Sequence, residues 1–126
     1  MGRRMRAMII EDQFIGTLIE DALSKLGFSE FEHVDSEQAA VAAARANCPD
    51  LITAEQRLDD GTGVNAVRSI CAVHGRVATV FITNFQDEVR HSLPETVIIG
   101  KPFGDQELKE AVEAAFLIDR RRPDAP

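Results

Sequence analysis

"PDLITAEQRLDDGTG", residues 49–63, is the stretch on which the reading of this chain turns. Its first half is a short apolar run, Leu51-Ile52-Thr53-Ala54, that stops at a carboxylate, Glu55. Its second half is polar and rich in Gly and Asp, the composition of a loop. A strand that ends in an acid and then turns presents that acid at the edge of a sheet. The fold therefore depends on how many other runs behave in the same way.

Four more apolar runs surround it: Ala7-Met8-Ile9-Ile10, a weak one from Phe31 to Val34, Val77 to Ile82, and Val97-Ile98-Ile99. Segments with helical spacing lie between and after them. Phe14, Ile15, Leu18, Ile19, Ala22, Leu23 and Leu26 form an inward stripe closed by Gly27. Asp35 with Gln38 predicts a cap and capping box for a helix over 36–46. A third helix is expected over 65–74 with Val67, Ile70, Cys71 and Val73 inward, and a short fourth over 86–93, ended by Pro94. Asp105 is placed as the cap of a last helix that buries Leu108, Ala111, Val112, Ala115 and Phe116. Apolar strands alternating five times with amphipathic helices predict an α/β fold, a doubly wound parallel sheet covered on both faces.

Composition bounds the function. The chain has 126 residues, the length of one domain, and a formal charge of −7, which argues against nucleic acid or an anionic membrane as partner. The expected division is an N-terminal extension over 1–5, a domain over 6–118, and a frayed basic, Pro-containing tail over 119–126. The apolar run after the basic start is four residues long, too short for a signal-peptide core or a membrane span. Cys48 and Cys71 lack a CxxC spacing, are read as packing residues, and fit a reduced, cytoplasmic compartment. His33, His74 and His91 share no spacing and are read as incidental.

In open parallel sheets the site forms beyond the carboxyl ends of the strands. The first strand ends in Glu11-Asp12, the third in Glu55, the fourth in Thr83-Asn84 and the fifth in Gly100-Lys101-Pro102. Three carboxylates at one sheet edge need a cation or an ammonium to neutralise them. The chemistry suggested is Mg²⁺ held by Glu11, Asp12 and Glu55, with Lys101 pairing an anion. The plain alternative makes Lys101 a salt bridge and Glu11 and Asp12 caps of the first helix.

"MIIEDQF", "PDLITAEQRLDDGTG", "VFITNF" and "IIGKPF" together resemble the receiver domain of two-component response regulators, over about residues 6–117. The resemblance implies a flavodoxin-like sheet of order 2-1-3-4-5, with a Mg²⁺-binding acidic pair at Glu11 and Asp12. It also implies a switch hydroxyl at Thr83 and a phosphate-pairing Lys101 joined to Pro102 by a cis peptide. The "FITNF" form is similar to receivers of the alphaproteobacterial general stress pathway.

Four features depart from the family pattern. Glu55 stands where the family's phosphoacceptor Asp belongs, and a placement error of about 1 Å costs on the order of 100-fold in rate. A longer carboxylate also reaches toward the place of a phosphoryl oxygen, where it would pair with Lys101. Asp59 replaces a proline of the loop, and Asn84 replaces a small residue and is positioned to bond Glu55. Ile98 sits where an aromatic is common, which leaves Phe85 as the candidate mobile aromatic, and the segment between Thr83 and Lys101 is short.

The expectation is a non-enzymatic, stand-alone receiver that signals by protein contact, with Glu55 biasing or locking its switch. Its partner would be a histidine kinase, a phosphotransfer protein or a downstream regulator, and a homodimer is compatible. Mg²⁺ binding would be weak or absent if Glu55 pairs with Lys101. The alternatives are a Mg²⁺-dependent phosphotransfer or phosphohydrolase enzyme and a metal-free sequestering adaptor.

Overall fold

A computed structural model describes residues 4–121, with side chains described as far as Asp119. Five strands alternate with five helices: β1 (Met5–Ile10), α1 (Gln13–Ser24), β2 (Phe28–Val34), α2 (Glu37–Ala46), β3 (Leu51–Ala54), α3 (Gly63–His74), β4 (Ala78–Ile82), α4 (Gln86–Ser92), β5 (Val97–Ile99) and α5 (Asp105–Arg121). All strand pairs are parallel, in the order β2-β1-β3-β4-β5. This is the doubly wound sheet expected from the strand and helix alternation.

The pleat explains why the strands read as continuous apolar runs. Ala7 and Ile9 of β1 face one buried layer with α1 and α5, while Met8 and Ile10 face the other with α2, α3 and α4. The central strands β1, β3 and β4 are thus buried on both faces, while β2 and β5 at the edges are only partly covered. Polar atoms meet solvent at the strand ends.

Local chemistry corrects several sequence expectations. Ser36, not Asp35, caps α2, its hydroxyl accepting from Ala39 N at 3.0 Å. Asp105 is the first residue of α5 and pairs with Lys25 at 2.9 Å, so it serves as a tether to α1. Phe14 (78% exposed), Leu18 (53%) and Val73 (59%) face outward, because the buried stripe is Gly16, Ile19, Ala22 and Leu23 on α1 and Val64, Ala66, Val67 and Ile70 on α3. Cys48 is exposed, whereas Cys71 is half-buried and packs against the layer under α2, α3 and α4, as expected of a packing residue. His33 is not merely solvated, its Nε2 lying 2.5 Å from Glu20 Oε1.

β2 begins at Phe28, three residues before the weak run at Phe31, because it follows the edge of β1 where exposed Ser and Glu are tolerated. Met5 belongs to β1 and α5 continues to Arg121, so regular structure overruns the expected span of 6–118 at both ends. The remainder of the expected tail lies outside the described residues.

Candidate functional site at the carboxyl ends of the strands

Sheet hydrogen bonding continues one residue past three of the strands and so aligns the site. Glu11 N donates to Val34 O at 3.0 Å, Glu55 N to Ile10 O at 2.9 Å, and Thr83 N to Ile99 O at 3.0 Å. Glu11, Glu55 and Thr83 therefore lie at one level, and Lys101, two residues past the end of β5, is joined to Pro102 by a cis peptide. The lysine side chain reaches across the end of β4 and sets its ammonium between two acids. Nζ is 2.7 Å from Glu55 Oε1 and 2.8 Å from Glu11 Oε2. The second contact is an ion pair outside hydrogen-bond geometry, so Glu11 Oε2 has no hydrogen-bond partner.

The other Glu55 oxygen fills a small anion hole. Glu55 Oε2 accepts from Gln56 N at 2.6 Å, from Arg57 N at 3.1 Å, and from the Thr83 hydroxyl at 2.5 Å. Charge-assisted bonds of this kind are among the stronger ones in proteins. The turn exists because α3 starts against it. Gln56 Oε1 accepts from Val64 N at 3.0 Å, and Gly63 N donates to Gln56 O at 2.9 Å. A Cβ at Gly63 would come within 2.3 Å of Glu55 O, so glycine is required there.

Burial acts on the two buried charges in opposite ways. Desolvation pushes the Glu11 carboxyl up, only partly offset by Lys101 and by the Asp12 amide, which donates to Glu11 Oε1 at 3.0 Å. Desolvation alone would lower the Lys101 ammonium. Contacts with Glu11 and Glu55 outweigh it and hold the lysine above its ordinary range.

The third expected acid does something else. Asp12 is exposed and caps α1, its Oδ1 accepting from Ile15 N at 2.9 Å. Among the described residues, no three His, Cys, Asp or Glu side chains gather as a metal site. Two carboxylates share an ammonium and the third faces a helix N-terminus, so the arrangement does not fit a magnesium ion.

Two other expected residues also take different roles. Asn84 Oδ1 accepts from Lys101 N at 2.9 Å, which steadies the lysine's backbone instead of bonding Glu55. Phe85 is 40% exposed beneath the Arg57 guanidinium, whose carbon is 4.1 Å from the ring centroid, so it does not point inward. Asp59 and Asp60 are exposed in the loop, where Asp60 O accepts from Glu37 N at 3.0 Å.

The sequence reading passed over Gln56, Arg57 and Glu88. The two residues after Glu55 had a signal, since a turn leaving a parallel strand points its amides into the crevice. Arg57 and Glu88 form an ion pair across 31 residues of sequence, which no local pattern announces.

A doubly wound sheet of this order, with an acid, a hydroxyl and a lysine at its carboxyl edge, is the arrangement that the resemblance to receiver domains implies. Residues 7–113 match the response regulator receiver domain, and the chain belongs to that family. None of the curated proteins compared with it matches. Among solved structures it is similar to the receiver domain of the Erythrobacter litoralis PhyR response regulator, at 23% identity and a TM-score of 0.84, over 98% of this chain and 97% of that one. The PhyR anti-anti-sigma factor of Bartonella quintana is 26% identical with a TM-score of 0.78, and the similarity spans 94% of this chain and 50% of that protein. The receiver domain of a Pseudomonas aeruginosa sensor histidine kinase is 28% identical with a TM-score of 0.74, over 88% and 96% of the two chains. That structure has a magnesium ion coordinated in its active-site cleft.

Proposed function

We propose that this receiver acts in phosphorelay signalling through protein contacts, with its switch held by Glu55 instead of being cycled by phosphoryl transfer. The observation that carries this reading is the set of partners on one carboxylate: Lys101, the Thr83 hydroxyl, and the amides of Gln56 and Arg57. The resemblance assigns Lys101 and Thr83 to a phosphoryl group. Here they are already satisfied by a side chain of the protein itself.

The mimicry is electrostatically partial. A carboxylate brings one negative charge where an acyl phosphate brings roughly 1.5 to 2. Attack on a phosphodonor would also require Glu55 to give up its bonds to Lys101, Thr83 and the two amides. The carboxylate is thus a poor nucleophile and a good fixed anion. Protein partners fit the likeness to PhyR, one relative of which is described as an anti-anti-sigma factor. A histidine kinase, a phosphotransfer protein or a downstream regulator is the corresponding partner class here.

Incubation with acetyl phosphate and Mg²⁺, followed by intact mass, tests the reading. The expected spectrum is unchanged, and stoichiometric gain of one phosphoryl group on Glu55 would overturn it. Mg²⁺ is proposed to bind weakly or not at all, because Lys101 takes the place of the cation. Millimolar or tighter affinity that is lost in Asp12→Asn would contradict that occupancy.

A further inference from the structure

The outer wall of the site is a contact between the loop after β3 and the start of α4. Arg57 N donates into the Glu55 anion hole at 3.1 Å, and its guanidinium extends over the Phe85 ring at 4.1 Å. The same guanidinium forks onto Glu88, with Nε 3.1 Å from Glu88 Oε2 and Nη2 on the same oxygen. Phe85 N in turn donates to Thr83 Oγ1 at 3.0 Å, and the Thr83 hydroxyl donates to Glu55. Two routes thus leave one carboxylate oxygen and meet in the first turn of α4.

Elsewhere that helix is held at its far end, where Arg68 Nη2 donates to Ser92 O at 3.1 Å. It spans seven residues, Phe85 gives it no side-chain cap, and Val89 is the residue it buries. An isolated helix of this length does not persist in water. Ile98 is half-buried on the neighbouring strand and offers no ring to link the site with this face.

We propose that Arg57 is a positioning residue that clasps Phe85 and Glu88, so that the loop binding Glu55 and the first turn of α4 move as one body. The proposal rests on the reading that Glu55 holds the switch. Arginine suits the role because a planar guanidinium stacks on a ring and forks onto a carboxylate at once. A lysine does not do both.

Amide hydrogen exchange on the full chain tests the clasp. In Arg57→Ala, residues 86–92 are expected to exchange about fivefold to tenfold faster, the scale of one exposed ion pair plus one cation–π contact. Amides of α1 and α5 stay at wild-type rates, and Arg57→Lys does not restore protection. The double variant with Glu88→Gln exchanges no faster than Arg57→Ala alone.

A second readout goes beyond local packing. In Glu88→Gln the Glu55 carboxyl ¹³C resonance is expected to move, although Glu88 does not touch Glu55. Unchanged exchange over 86–92 in Arg57→Ala, or an unmoved Glu55 resonance in Glu88→Gln, would overturn the proposal. Acyl phosphate formation on wild-type Glu55 would overturn the reading of Glu55 and leave the exchange result standing, so the two failures are distinguishable.

Discussion

Two ion-paired groups flank the end of β4 and differ mainly in burial. Lys101 sits between Glu11 and Glu55 with side-chain exposures of 21%, 3% and 11%. Arg57 and Glu88, a few residues away, are 61% and 40% exposed. Both are short contacts between the same kinds of charge. In the first, the partners have lost their water and depend on one another. In the second, water stands ready to replace either partner, so the pair directs geometry more than it adds stability.

Lys101→Met breaks that comparison most directly. Removing the ammonium leaves two buried carboxylates without their counter-charge, and a loss of about 3–5 kcal/mol is expected in urea unfolding at neutral pH. A loss below about 1 kcal/mol would put the cluster on the same footing as a surface pair.

Proton removal gives the same contrast without a mutation. Lys101 is raised in the fold, so its contribution is fully present below the ordinary lysine pKa of about 10.4 and is lost as pH rises through the folded value. The stability gap between wild type and Lys101→Met should therefore close in that alkaline window. Glu11 acts in the acid window with the opposite sense. Its raised carboxyl means that stability falls as pH rises from the ordinary glutamate value of about 4.3 to the folded one. Flat pH profiles in both windows would show that these charges are not coupled to folding.

Thr83→Val sharpens the comparison within the buried side. It removes the donor to Glu55 and the acceptor for Phe85 N while keeping the volume. About 1.5–3 kcal/mol is expected from denaturant unfolding, the range for a hydrogen bond to a charged group. The smallest effect belongs to Glu88→Gln, which should leave the denaturant midpoint almost unchanged because the pair is exposed, and added salt should shrink the change further. A larger loss there would mean that the outer pair carries the fold as well as the position of α4.

Much of the molecule was legible because its central strands are buried on both faces. β3 and β5 fall on the apolar runs to the residue, and Glu55, Thr83 and Lys101 follow directly where the crevice lies. Helix stripes were read too wide on α1, since apolar spacing does not reveal how much of a helix a sheet can cover. Phe14 and Leu18 show the difference. The cap of α2 went to Ser36 because its hydroxyl reaches Ala39 N from extended backbone.

The acid cluster shows the same limit. Proximity of Glu11, Asp12 and Glu55 followed from strand order, but their roles depended on side-chain direction. Glu11 turns to Lys101, and Asp12, one residue later, turns to the N-terminus of α1.

The sequence by itself determined the alternation of elements, the sheet edge that carries the polar groups, and the presence of Glu55 where the family pattern has Asp. Only the tertiary structure decided what that glutamate does. Lys101 and Thr83 come from strands 46 and 28 residues away, and they meet its two oxygens only after the sheet is assembled. Chain order specifies which residues end each strand. The direction of each charge is set by competition among nearby partners, and that competition exists only in the packed fold.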